Sequence, residues 1–319
     1  MRRYRLIGGV ALAVLLAAML AGCGPLVQPQ EQTASVYATF YPVYALADAV
    51  IRDVPNIQLH CLVQPQDGCL RAYQLSDWDM RLLASADGII SGGRGLESFE
   101  STLFSWGENG PVVSAVLYNL DLYNQGKAAG DAEQESHLRG ENPHLYMSID
   151  GAGQIVESIS AMMVSMDPKY AALYAANTDA ALEALKSAAS QAREIMAPYG
   201  GRPVILMNEA LVYTARDYGL ETAEWIDRES GTAMVDEELS RCLARLDASR
   251  AKVVLIERQA PPQFVRALEE AGYSVALLNV FSTGREGEGF ESYIQGQIEN
   301  ANAIRAAFER ADGGEADVH

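Results

Sequence analysis

The sequence predicts an α/β protein of two lobes, each a mainly parallel sheet flanked by helices, joined by one long rigid helix with a ligand cleft between the lobes. Three observations carry this. Short β-rich runs alternate with helical ones in the first half of the 319-residue chain, the same alternation returns in the second half, and an alanine-rich helical stretch separates the halves. Strands that alternate with helices pair in parallel and are covered by those helices. Some 285 residues follow residue 34, long for one core and comfortable for two.

In the first lobe, 35–166, the expected strands are Val36 to Phe40, Ile57 to Val63 and Gly88 to Ser91. The helical segments YPVYALADAVIRDV, LSDWDMRLLASA and LESFESTLFSWG follow them in turn. In the second lobe, 200–311, PVILMNEA, KVVLIER and SVALLN read as strands, followed by LVYTARDYG, APPQFVRALEEAG and ESYIQGQIENANAIRAAFERA; MVDEELSRCLARLDASR adds a helix. Between the lobes, 167–199 reads as the linking helix. Asp167 can cap it, Pro168 suits its first turn, and Gly200 with Gly201 ends it. Pro168 to Ala197 would span about 45 Å. The end of the chain, 312–319, is short, polar and glycine-bearing and is expected to be disordered, which makes His319 a poor ligand candidate.

The chain opens MRRYRLIGGVALAVLLAAMLAGCG. A basic start (Arg2, Arg3, Arg5), an apolar run from Leu6 to Ala21 shorter than the roughly 20 residues of a spanning helix, and small residues before a cysteine describe an export signal over 1–22. The pattern Leu20-Ala21-Gly22-Cys23 resembles the lipobox of bacterial lipoproteins, which implies a diacylglyceryl thioether on Cys23. The protein would then sit at the extracytoplasmic face of a bacterial membrane, anchored in the bilayer through acylated Cys23. Residues 23–34, polar and proline-bearing, suit a flexible tether. Loss of 1–22 removes three arginines and no acid, so the formal net charge of −18 becomes −21; such a surface repels nucleic acid and anionic headgroups.

Outside the cytoplasm, Cys61 and Cys69 in HCLVQPQDGCL can close a short disulfide loop. The rival is a metal site of His60, Cys61 and Cys69, but neighbours on a strand point to opposite faces. Cys242 reads as a small apolar residue on a helix.

Ligands of open α/β sheets bind beyond the carboxyl ends of the strands. The cleft candidates are therefore Arg71 and Tyr73, His144, Asn208 and Glu209, Glu257 and Asn279. Glu209 and Glu257 also have bland readings, as a helix-start acid and as a partner of a neighbouring arginine. Trp78 and Trp106 read as core or lobe-surface residues.

Several segments carry a resemblance. ATFYPVYALADAV is similar to the first strand and helix of the metal-binding lipoproteins that feed zinc or manganese ABC importers, YQLSDWDMRLLASAD to their tyrosine-containing segment, and NPHLYMSI to their Asp-Pro-His-Val-Trp-Leu motif. MNEALVYTARDYGL resembles their His-Asp-Ala-Phe-x-Tyr-Phe-Ala-x-x-Tyr-Gly-Leu segment, and VVLIERQAPPQFVRALEEAGYSVALLN their last strand-helix-strand, which ends in a metal-binding aspartate. The likeness covers about residues 35 to 310. It implies a solute-binding protein that hands zinc or manganese, as transported ion, to the membrane permease of an ABC importer; it implies a monomer and no enzyme activity or organic cofactor.

The resemblance places His144 at the second metal-ligand position. The first, third and fourth align with Arg71, Asn208 and Asn279. Arginine stays protonated and cannot ligate, and neutral amides replace stronger ligands. Three repairs present themselves. His144 can be joined by Glu209, Glu257 or other carboxylates in an oxygen-rich site that suits manganese or calcium better than zinc. His137, in the acidic stretch GDAEQESHLRGEN, can supply a second imidazole. Or the cleft has moved to a metal chelate or small anion held by Arg71, with Tyr73, Asn208 and Asn279 as hydrogen-bonding groups. A hydrolase using His144 as base with Glu209 or Glu257 has no GxSxG, no HExxH and no second histidine beside either acid to support it.

Overall fold

Why the two halves share one sequence rhythm is visible in their sheets. The computed structural model describes residues 33–63, 73–106, 110–123, 141–226, 236–282, 284 and 287–316. Among these, β1 (Ala34–Ala38), β2 (Ile57–Cys61), β3 (Gly88–Ser91) and β4 (Val112–Ala115) form one sheet in the order β2-β1-β3-β4. A second sheet of β5 (Pro203–Leu206), β6 (Glu221–Trp225), β7 (Val253–Glu257) and β8 (Ser274–Leu278) has the order β6-β5-β7-β8. Every pairing is parallel. The two sheets thus repeat one topology, and in each the chain reverses its direction of travel across the sheet beside the first strand, where parallel sheets leave a crevice.

Burial follows strand position. β3 and β7 are buried at every residue, and their sequences GIIS and VVLIE are apolar up to a polar last residue, as strands covered on both faces are. In the second sheet alternate residues face opposite sides. Val204, Leu206, Val253 and Leu255 join the large core shared with the first lobe, whereas Ile205, Met207, Val254 and Ile256 pack with Cys242, Phe264 and Leu268 in a smaller core on the outer face.

The helices are α1 (Tyr41–Ile51), α2 (Asp77–Ala84), α3 (Glu100–Phe104), α4 (Ile149–Met166), α5 (Ala171–Met196), α6 (Leu211–Asp217), α7 (Asp236–Ala248), α8 (Pro262–Glu270) and α9 (Phe290–Ala316). Local chemistry sets their starts. Ser76 and Asp79 form a reciprocal capping box on α2, and the Ser148 hydroxyl accepts from Gly151 N at the head of α4; each satisfies amides that a helix start leaves unpaired. α5 is the expected linking helix, prolonged by single 3-10 turns at Pro168–Tyr170 and Ala197–Tyr199. Tyr174, Thr178, Ala181, Leu185, Ala188, Ala192 and Met196 form its buried stripe, spaced three or four apart as one helix face requires.

Three points correct the reading from sequence. β4 and β6 are strands where none was expected. The last helix runs further than expected: α9 reaches Ala316, with Asp312 paired to Arg202 (2.7 Å) and Phe308 stacked on Tyr199 (5.0 Å between centroids) under the Arg202 guanidinium. And His144 does not end a strand; it heads a 3-10 turn, Leu145–Met147, in the connection from β4 to α4.

Ala34–His319 is a compact unit holding both cores. The export signal, the tether with Cys23, and Arg71, Cys69, His137 and His319 lie outside the described residues. Among the described residues no helix is long and apolar enough to cross a membrane.

Candidate functional site

The carboxyl edge of the second sheet gathers four candidates. β5 runs into Asn208 and Glu209, β7 ends at Glu257, and β8 leads into Asn279. Leu206 pairs with Leu255 and the Met207 amide continues that ladder to the Leu255 carbonyl, so Asn208 lies level with Glu257; the register of β7 with β8 places Glu257 opposite Leu278.

Their environments differ. Asn208 is buried, and its Oδ1 accepts the Ala210 amide at 2.9 Å. Asn279 does the same with Phe281 N at 2.8 Å, while Asn300 holds the Asn279 backbone through N–H and C=O. Both side chains thus close turns on their own backbone two residues on, a role that short amides favour and that turns each Oδ1 toward the protein. Glu257 is fully buried.

Glu209 meets His144. The imidazole Nε2 stands 3.4 Å from Glu209 Oε1, and both side chains are nearly enclosed. The opposite ring nitrogen, Nδ1, lies 2.9 Å from Asn142 Oδ1. Two bonds fix the Asn142 amide's orientation: the His144 backbone N–H donates to its Oδ1 (3.0 Å), and its Nδ2 donates to the Glu209 carbonyl (2.9 Å). Because Asn142 presents an oxygen, Nδ1 of the ring must be the N–H, and in the neutral imidazole the lone pair is on Nε2. Nε2 and the Glu209 carboxylate face each other. A charge-assisted hydrogen bond would draw them to about 2.7–2.9 Å. Two donors each 2.0–2.2 Å from one tetrahedral ion instead stand roughly 3.4 Å apart. The pair therefore has the spacing and polarity of two ligands of a cation.

Among the described residues no three His, Cys, Asp or Glu side chains converge. Tyr73 is engaged away from this pair. Its hydroxyl donates to Asp79 Oδ2 (3.0 Å), and burial, then this bond, push its pKa up to about 12. Cys61 is buried at the end of β2; its expected partner Cys69 lies outside the described residues.

Three further polar residues escaped the sequence reading. Asn142 is one. Asp217, at the end of α6, accepts from Ser148 Oγ and Ile149 N, both at 3.0 Å, and so ties the helix behind Glu209 to the helix behind His144. Glu97 fills the crevice of the first sheet: Thr39 Oγ1 and Gly92 N donate to Oε1 (2.6 Å each) and Gly93 N donates to Oε2 (2.9 Å). Its burial raises its pKa, which these three donors oppose. The first lobe's own crevice is thus occupied by a side chain, and the ring of His144 enters from the later connection, edge-on to Tyr146, which packs in turn on Phe40 at the end of β1.

Comparison with known proteins agrees with this architecture. The model of the periplasmic zinc-uptake complex component A family matches residues 36–307. The chain is 22% identical over 303 residues to the zinc-binding lipoprotein AdcA of Streptococcus pneumoniae, covering 92% of this chain and 59% of that protein, so it spans about three-fifths of that relative's length. It is 23% identical over 230 residues to the manganese-binding lipoprotein MntA of Halalkalibacterium halodurans (71% and 73% covered). Among solved structures, the substrate-binding protein FpvC of Pseudomonas aeruginosa with nickel superposes with a TM-score of 0.73 at 19% identity, over 88% of this chain and 98% of that one. With a family match that runs through both sheets and all the helices that join them, this chain belongs to the zinc-uptake complex component A family.

Proposed function

We propose that this protein is the extracytoplasmic binding component of an ABC importer, capturing a divalent transition-metal ion, zinc or manganese, and handing it to a membrane permease. Anchorage through acylated Cys23, action as a monomer, and the absence of catalysis on the cargo belong to the same reading. One observation carries it: His144 Nε2 and Glu209 Oε1 face each other at 3.4 Å across the junction of the lobes, the spacing of two ligands on one ion. The relatives named for zinc and manganese, and the related fold that holds nickel, support the class of cargo. A single imidazole with a carboxylate is a donor set on the hard side, which favours manganese over zinc.

The direct test is elemental analysis by mass spectrometry of the 34–319 unit, purified without a histidine tag, beside His144→Ala and Glu209→Gln. About one equivalent of manganese or zinc in the parent, lost in both variants, is the expected result. The turning of the Asn208 and Asn279 oxygens onto their own backbones favours a second reading, in which the cleft takes a chelate or small anion with Arg71 as its charged partner. That reading predicts no bare metal in any of the three proteins and a ligand response that Arg71→Ala abolishes.

A further inference from the structure

We propose that Asn142 is the positioning residue of the site: one amide that orients the imidazole of His144 and the main chain of Glu209 together, and so sets how the two ligands meet. This rests on the metal-binding reading of that pair. Asn142 is fully buried, and each polar atom of its side chain is used. Oδ1 accepts from the His144 backbone N–H and from ring Nδ1; Nδ2 donates to the Glu209 carbonyl, which also receives Val212 N at the start of α6. Its own carbonyl accepts from the Tyr213 hydroxyl at 2.8 Å, and that hydroxyl accepts Tyr123 N at 3.0 Å, so Asn142 is itself held from both sides.

The chemistry of the residue explains why an amide stands here. Holding Nδ1 of the ring as the N–H needs an acceptor, and gripping the Glu209 carbonyl needs a donor; an amide offers the two on separate atoms of one planar group. The motif that NPHLYMSI resembles carries aspartate at this place. A carboxylate would still accept from the ring but would face the Glu209 carbonyl with a second oxygen, and nothing would then fix Glu209 through this residue. Groups that orient a metal-binding histidine typically contribute 10–100-fold to affinity; here one residue orients both ligands.

The test reads the ring itself, without metal. The 34–319 unit is labelled with ¹⁵N-histidine and freed of metal. Its imidazole nitrogens are recorded well above the ordinary imidazole pKa of about 6.5, with His144→Gln assigning the signal among the four histidines. The parent should show His144 protonated on Nδ1. In Asn142→Ala the proton should move toward Nε2. In Asn142→Asp it should stay on Nδ1 and its proton resonance should shift downfield as a carboxylate replaces the amide. Titration with manganese or zinc alone should give a dissociation constant about 10–100-fold weaker for Asn142→Ala, and Tyr213→Phe, which spares the ring contact, should keep the parent tautomer. An unmoved tautomer in Asn142→Ala, or unchanged ring shifts in Asn142→Asp if the alanine variant does not fold, overturns the proposal. A parent that binds neither ion defeats the metal reading while leaving the tautomer result standing; a parent that binds an ion no more tightly than Asn142→Ala defeats the positioning role alone.

Discussion

Asp217 shows how one carboxylate links acid–base behaviour to the geometry of the site. Burial, opposed by the bonds from Ser148 and Ile149 N, pushes its pKa up to about 6, with Asp150 adding to the rise and Arg193 reducing it. Its folded value lies above its unfolded one, so the folded protein holds an extra proton between roughly pH 4 and 6. Stability must then fall as pH rises through that window, and Glu97, raised by burial, acts in the same direction. Asp217→Asn removes this titration. Thermal melts from pH 4 to 7 should decline less steeply in the variant than in the parent, and parallel curves would show that Asp217 ionises in the folded protein as it does in the unfolded chain. Asp217 was not legible beforehand, because ARDYG carries no sign that its acid will cap a helix more than sixty residues earlier in the chain. Glu209 was legible as a candidate from its type and its place just after β5, and His144 from its type alone, since it heads a 3-10 turn and does not end a strand. Their pairing was not, since it depends on Asn142, a residue whose role is defined only by what it touches.

At the scale of elements, the segment that carries His144 is shaped by what packs behind it. The turn Leu145–Met147 lies on the head of α4, where a Cβ at Gly151 would stand 2.6 Å from the Leu145 carbonyl oxygen and 2.5 Å from its Cδ1. The backbones approach too closely for any other residue. Gly151→Ala should therefore cost about 1–3 kcal/mol by overpacking, and on the proposed metal reading the forced shift of the turn should weaken metal binding as well; denaturant unfolding and metal titration of the same variant measure both. A variant that loses stability alone would show that the turn yields without moving His144. The same scale explains which elements could be read from the sequence. β3 and β7, at the centre of each sheet, are buried on both faces and announce themselves as largely apolar runs. β4 and β6 are edge strands; the exposed Val112, Glu221 and Thr222 break their patterns, as solvent-facing edges require.

For the whole molecule, the decisive feature is that the lobes are not separate bodies. Residues of both sheets belong to one large core, continuous from Val36 in β1 through Leu185 in α5 to Leu255 in β7 and Phe308 in α9. Two long helices brace it. α5 packs against α1, α4 and α9, and α9 packs against α1 as well as β8, with Asp48 accepting the Phe290 amide (3.0 Å), Tyr44 accepting Gly287 N (2.9 Å) and Arg52 paired with Glu291. Deeper in, the Tyr293 hydroxyl donates to the Tyr146 carbonyl (2.6 Å), and Gln297 Nε2 donates to that hydroxyl (2.8 Å). A hinge that swung one lobe on the other would have to open this shared core and leave buried hydrogen-bonding groups unmatched, each costing about 1–3 kcal/mol. On the proposed reading such a swing is not needed to bring His144 and Glu209 together, since they already stand 3.4 Å apart. Capture should therefore proceed by shifts of side chains and short segments around the Asn142 clamp, with the frame unmoved. Small-angle scattering of the 34–319 unit should give the same radius of gyration with and without bound ion, whereas amide exchange should slow on loading in 141–147 and 207–212. A contraction of the whole particle on loading would mean that the shared core opens in the metal-free state and that the braces are made by the cargo.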